Sequence, residues 1–451
     1  MTSTQIQAIK KDIGYAQAAL AELGNPFKLG MAGWMLGSQD NEAEFESLFT
    51  SDSPFMSLWD EADGFDALSA ARVKWPATWL EEDWGLGQPQ LGLPRIYSDA
   101  KAARSKNCHG LIAKHWRTKM LSANISAMKN LLWVYGTTSA PPTKSFTSQT
   151  KNAWVDAMWI KWADTQFGLE VGSQVASILS TMDKAGEPGA SGAIPAINTW
   201  ETDKEDTNSS PSAIETNAKS WALEQRKYSF VTQLENLRNS VIGAGNLERF
   251  DYFLKNFQAM KLMAEFGTVR HNFEMQMEEE YFHSALTYRR EMARLFEKFM
   301  KLKLESINNT SDLGEILSLE ILNWHQLIEL KYDAVLTTGL GYPIPSDANP
   351  STQYTGSPSL KVFPIQTQIR KGKDLQLNIV AMAIDNDPVL KHRSLGQGGW
   401  IDITISKIAR SVYRATIPAQ QDDFEYYLES GNIVFPVTAP SITQTVVVTQ
   451  E

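Results

Sequence analysis

Apolar positions change their spacing twice along the chain. In Met1–Gly24, Ile6, Ile9, Ile13, Ala16, Leu20 and Leu23 fall near the 3.6 period, which predicts an amphipathic helix. Gly24-Asn25-Pro26 then supplies C-cap and breaker chemistry. Three apolar runs follow as strand candidates: Phe27–Leu36, Lys74–Leu80 and Gly110–Trp116. Helical segments near Glu42–Leu48, Ser98–Ser105 and Asn124–Trp133 separate them. Strands alternating with helices predict βα units and a parallel sheet. From about Asn152 to Leu336 the 3.6 period returns in three stripes, one of them Phe282, Leu286, Met292, Leu295, Phe296 and Met300. Beyond Leu360 the period becomes two: Leu375/Leu377/Ile379, Ile401/Ile403/Ile405 and Tyr413/Ala415/Ile417 alternate with polar neighbours. That pattern, punctuated by Gly, Pro and Asp, predicts an antiparallel β-sandwich.

The expected fold is therefore multidomain α+β. It comprises a partial (β/α) barrel over residues 1–135, an α-helical region over 136–338, a linker over 339–359 and a β-sandwich over 360–451. Within the helical region, 184–220 is rich in Gly, Pro, Ser, Thr, Asn and Asp and reads as a long surface loop. Only three βα units are legible, in about 135 residues, where a complete barrel has eight units in about 250. The expectation is that these are the barrel's last strands.

Composition narrows the functional classes. The 451 residues carry 42 Lys+Arg against 52 Asp+Glu, a formal net charge of -10, with no basic block. Such a chain is poorly suited to a phosphate backbone, so no nucleic-acid partner is expected. No apolar run approaches the roughly 18 residues of a membrane span, so no membrane partner is expected either. One cysteine, Cys108, excludes an intrachain disulfide framework and a cysteine-rich zinc site. It reads as an inert buried thiol. Met1–Gly24 lacks the parts of a signal peptide. Localisation stays open, because Asn124-Ile-Ser, Asn208-Ser-Ser and Asn308-Asn-Thr are sequons. The chain is rich in tryptophan, with 14 residues. Indole faces are platforms for sugar rings, but they are also core material.

The candidate chemistry lies at the predicted strand ends. Trp75-Pro-Ala-Thr-Trp79-Leu-Glu81-Glu82-Asp83-Trp84 sets three consecutive acids among three tryptophans. Glycoside cleavage needs two carboxylates, one protonated and one ionised. Alternate residues of a strand share a face, which pairs Glu81 with Asp83. The competing reading is a solvated acidic loop after a buried strand. In the next segment, His115 can bond a sugar hydroxyl, Trp116 can floor a subsite, and Arg117 can hold Glu81 or Asp83 ionised. Here the competing reading is a satisfied histidine and a buried ion pair. Trp34 closes the first strand candidate in the same way, and Asp40 reads as a helix cap. Glu280-Tyr-Phe-His283 has the spacing of helical di-iron sites. Those sites need a second such motif and two further Glu, so a charged helix face is the better reading. Gly33-x-x-x-Gly37 lacks the Lys-Ser/Thr of a P-loop, and no Gly-x-Ser-x-Gly elbow occurs. No metal and no cofactor are expected.

An ordered series of motifs resembles a known group of enzymes. These are Gly33-Trp34-Met-Leu-Gly37, Trp79-x-Glu81-x-Asp83, Cys108-x-Gly110-Leu-Ile-x-x-His115-Trp116-Arg117-Thr118, Leu237-Arg238 with Arg249-Phe250-Asp251-Tyr252, Trp400 after Leu395-Gly396, and Asp423-Phe424-Glu425-Tyr426-Tyr427 with Thr438-Ala439-Pro440. Together they are similar to the C-terminal half of large multidomain TIM-barrel glycoside hydrolases of the agarase-like or hexosaminidase-domain type. The resemblance implies a polysaccharide or oligosaccharide substrate and an extracellular parent protein. It implies Glu81 and Asp83 as catalytic carboxylates, and Trp34, Trp79, Trp84, His115, Trp116 and Arg117 around the sugar. An N-terminal domain and the first barrel strands of such enzymes have no counterpart here. The alternative is a non-catalytic carbohydrate-binding or scaffold protein of the same descent.

Overall fold

The computed structural model describes residues 2–33, 43–57, 65, 68–81, 89–115, 119–133, 149–185, 220–307, 309–351, 353–354 and 356–450. These fall into two compact units. One lies within Met1–Trp84, Pro89–Ile197 and Lys227–Phe253, the other within Gly85–Gln88, Asn198–Arg226 and Leu254–Glu451.

The first unit opens on helix α1 (Ser3–Glu22), capped by Thr2 and Gln5 in a reciprocal capping box. Its apolar stripe is half-buried, and the left-handed Gly24 and Asn25 end it as the sequence predicts. Four short strands follow: β1 (Met31–Gly33), β2 (Phe55–Ser57), β3 (Lys74–Trp79) and β4 (Ile112–Lys114). Helices α2 (Ala43–Glu46), α3 (Leu93–Ser105) and α4 (Ser122–Trp133) follow β1, β3 and β4 respectively. The strands form one parallel sheet in the order β1-β2-β3-β4. Strand order equal to chain order is the singly wound arrangement of a barrel wall. The pairing is also staggered, as barrel closure requires. Residues 74–76 of β3 pair with β2, whereas residues 77–79 pair with β4. Pro76, which has no N–H to give, sits where one pairing gives way to the other.

Strand β2 is absent from the sequence expectation, so the described sheet has four strands where three are legible. Its three residues are too few to show alternation. Phe55 nonetheless stacks into a core with Phe65, Leu68, Ala103 and the buried Cys108. Gly110 allows a close approach, because a Cβ there would lie 3.1 Å from Trp75 Cδ1 and the indole would have to shift by a few tenths of an ångström.

Helices α5 (Lys151–Phe167) and α6 (Leu169–Ala185) form a hairpin across Gly168. Trp154, Trp159 and Trp162 of α5 are all buried. Each indole N–H has a partner: Asn130 Oδ1 at 3.3 Å, Asp183 Oδ2 at 2.8 Å and Ser122 Oγ at 3.2 Å. Trp162 also meets Phe167 and Phe253 edge-on. These tryptophans are core residues with satisfied polar ends. Asp183 accepts a second bond from the Leu93 backbone N–H, 3.2 Å away. Asp183→Ala would orphan both donors in the interior. An expected cost of about 2 kcal/mol follows, at a site where orphaned donors cost roughly 1–3 kcal/mol. Thermal unfolding would show it, and an unchanged midpoint would refute it.

Further helices are α7 (Trp221–Glu224), α8 (Ser229–Leu237), α9 (Ala244–Glu278), α10 (Phe282–Ser306) and α11 (Thr310–Leu319). A π-helical stretch, Glu320–Glu329, joins α11 to α12 (Leu330–Leu340). Helix α9 begins at Ala244, and Asn246 in its first turn donates its side-chain amide to Ile242 O. In the second unit, the faces of α10 to α12 share one core with Phe363, Val380, Met382 and Val412. These four residues belong to strands β5 (Ser359–Phe363), β7 (Leu375–Met382) and β11 (Val412–Ile417).

The segment expected as a linker is part of this core. It contributes the fully buried Ala348 and Tyr354. Arg289 grips it through Ala348 O at 3.1 Å and Asn349 Oδ1 at 2.8 Å. A Gly/Pro/Ser composition therefore marks irregular backbone here, held in place by side chains from the helices.

The remaining strands are β6 (Gln368–Arg370), β8 (Val389–Ser394), β9 (Ile401–Ile403), β10 (Ile405–Ala409), β12 (Phe424–Ser430), β13 (Ile433–Phe435) and β14 (Gln444–Thr449). One sheet runs β10-β11-β7-β5, all antiparallel. The other runs β6-β14-β12-β8-β9, with β13 on β12, and is antiparallel except at β14–β6. Alternate residues of both sheets, Leu377, Ile379 and Ala415 with Leu390, Tyr426 and Leu428, enter one core.

Candidate functional site

The parallel pairing of β3 and β4 brings two candidate residues to one edge of the sheet. Trp79 lies opposite Lys114, and Leu80 N–H donates to Lys114 O at 3.0 Å. Continuing that register places His115 beside Leu80, with Glu81 one residue further on. Neighbouring strands are about 4.8 Å apart, so Glu81 and His115 stand at adjacent strand ends, one residue out of register, Glu81 continuing the Trp79 face and His115 the Leu80 face.

The two residues differ in environment. Glu81 is buried, 1% exposed, whereas His115 is exposed. Beneath them, Thr78 donates to Asp99 of α3 at 2.5 Å, tying the strand to its crossover helix. Asn124 of α4 donates to Leu80 O at 2.9 Å and to Gln90 O at 3.3 Å. That pair of bonds fixes the chain on both sides of the acidic segment. It also places the Asn124 amide in the interior, out of reach of a glycan-transferring enzyme. Asn208 and Asn308 lie outside the described residues.

Trp79 is buried at 7% exposure, and the Lys114 ammonium sits 3.5 Å from its ring centroid. This cation–π contact occupies the indole face, so Trp79 offers almost no platform to a sugar. Trp34, Asp83, Trp84, Trp116 and Arg117 lie outside the described residues, as does Asp40.

The other sequence candidates resolve into structural roles. Arg238 and Asp251 form a two-pronged ion pair at 2.6 and 2.8 Å. Arg249 donates to Gln166 O and to Asn246. In the second sheet, the Arg393 guanidinium lies 4.2 Å from the Trp400 ring centroid and donates to Glu425 at 2.8 Å. Glu425 also accepts the Gly396 N–H and the Thr443 hydroxyl, and Tyr427 meets Trp400 edge-on. The motif residues at 395–400 and 423–427 thus pin a hairpin loop to the sheet. Glu280 and His283 do not share a helix. Glu280 has φ 59 in the turn between α9 and α10, which destroys the i, i+3 geometry. Among the described residues, no group of three or more His, Cys, Asp or Glu is placed to hold a metal ion. Nor, among them, is any helix long and apolar enough to cross a membrane.

A pocket in the second unit was not legible in the sequence. It has a volume of about 300 Å³ and is walled by the π-helical stretch, Phe296, residues 349–351 and Arg410. Burial pushes the Glu320 carboxyl above the ordinary range; Arg410 opposes the shift, and Glu297 and Glu329 add to it. No protein-family model matches the chain, and no curated protein matches it.

Proposed function

We propose that the chain is a glycoside hydrolase acting on a polysaccharide, or the C-terminal portion of one. In this reading β1–β4 are barrel strands, and the two C-terminal sheets, with their shared core, form a β-sandwich. One observation carries the proposal: a buried carboxylate, Glu81, just past the end of β3 at the C-terminal edge of a parallel sheet. That edge is where barrel enzymes assemble their chemistry.

Glu81 and Asp83 would divide the work of glycoside cleavage. One carboxyl gives its proton to the glycosidic oxygen as that bond breaks. The other attacks the anomeric carbon, or removes a proton from the water that does. His115, Trp116 and Arg117 would orient the sugar, with Trp34 and Trp84 as its platforms. Trp79 would support the site from below.

The test is release of reducing ends from a panel of polysaccharides, galactans and hexosamine polymers among them, by the purified chain. Turnover of at least one is expected. Saturable binding without turnover would favour the non-catalytic carbohydrate-binding reading. Neither turnover nor binding across the panel would remove both.

A further inference from the structure

The pocket in the second unit is built from chemistry that the proposal above does not use. Its main wall is the π-helical stretch, in which the Leu330 N–H bonds His325 O, five residues back. Such geometry is normally a single-turn bulge and concentrates at functional sites. Here it runs for ten residues and turns Glu320, Ile321, Trp324, His325 and Glu329 toward one cavity. The cavity volume of about 300 Å³ falls at the lower end of small-molecule sites.

Charge around it is unbalanced. Arg410 is shared by two carboxylates, Glu297 at 2.7 Å and Glu320 at 2.8 Å. Arg289 is paired with Asp333 at 2.6 Å. Among the described residues Glu329 has no guanidinium in direct ion pairing, although the Arg289 charge acts on it; it accepts the Trp324 indole N–H at 2.9 Å and meets His325 Nδ1 at 2.8 Å. In the network around the cavity four carboxylates are set against two guanidiniums and one imidazole; of these, Glu320, Glu329, Arg410 and His325 line the cavity itself. An added anion would worsen that repulsion, and an added cation would relieve it. Phe296, Ile321, Trp324 and Pro350 supply apolar wall alongside. Trp324 is only 4% exposed, so no open indole face invites a sugar ring.

We propose that this pocket binds an alkylammonium group, with Glu320 and Glu329 receiving the ammonium and the apolar wall receiving its methylene chain. The source is either a free diamine or a lysine side chain of a polypeptide.

Calorimetric titration of the full chain tests this. The probes are 1,5-diaminopentane, Nα-acetyl-lysine amide, and the neutral isostere 1,5-pentanediol. At least one amine is expected to bind at least tenfold more tightly than the diol. The tighter of the two amines identifies the source. Glu320→Gln is expected to weaken that binding at least tenfold. Ile321 is 52% exposed, so Ile321→Arg leaves the fold intact while placing a tethered cation at the pocket, and the same loss is expected. Equal affinity for amine and diol, no amine binding at all, or amine binding unchanged in both variants would each overturn the proposal.

Discussion

Glu81→Gln is expected to slow polysaccharide hydrolysis by about 10²–10⁴-fold, the usual contribution of a positioned proton-transfer group. The substitution keeps the size and planarity of the side chain and removes its ability to ionise. Because Glu81 is 1% exposed, the result must be separated from a simple loss of fold. If the carboxylate serves a structural ion pair, removing it leaves a buried partner uncompensated, at roughly 3–5 kcal/mol. Activity and thermal midpoint would then fall together. If the carboxylate serves the chemistry, the midpoint stays near that of the parent chain and one limb of the pH–rate profile disappears. A variant with full activity would exclude Glu81 from catalysis.

The period of the apolar pattern made the long elements legible, because α5, α10 and the first half of β7 each bury one stripe or face. It could not show β2. Phe55–Ser57 is held by pairing on both sides, to Met31–Gly33 and Lys74–Pro76, and those contacts leave no local signature. Tryptophan content misled in part. On α5, Trp154 and Trp162 fall on an apolar helical stripe in the sequence, and the acceptors on α4 and α6 show that Trp159 is core material with them. Glu280 and His283 have helical spacing in sequence, yet a left-handed residue breaks the helix between them. The pocket was invisible for a different reason. Its residues come from 296, 320–329, 349–351 and 410, and a 3.6 period cannot predict a π-helical turn that redirects side chains. A local hint existed in Trp324-His325 followed by Glu329, four residues beyond the histidine.

Arg270→Met is expected to destabilise the second unit by about 3–5 kcal/mol, the cost of removing one partner from a buried ion pair. Arg270 and Glu274 lie one turn apart on α9, 1% and 2% exposed, with Nη2 and Oε1 3.1 Å apart. The Tyr332 hydroxyl donates to the same oxygen at 2.6 Å, and Lys331 approaches it at 3.7 Å. Burial pushes the Glu274 carboxyl upward, but Arg270, Tyr332 and Lys331 together outweigh it and hold the group below its ordinary value of 4.5. In the parent chain this pair therefore adds stability above that value, which is lost as pH falls through the lowered one. Without Arg270 the burial effect dominates, and the carboxyl rises above its ordinary value. The sign then reverses, because protonation now relieves the buried charge. The stability deficit of Arg270→Met should shrink as pH is lowered from 7 toward 5. Replacing both residues, Arg270→Met with Glu274→Leu, removes the charge altogether and should recover most of the loss at pH 7. Thermal midpoints of the parent, single and double variants at the two pH values decide it. A deficit that is independent of pH, or a double variant no better than the single, would show that Arg270 stabilises by packing rather than by its charge.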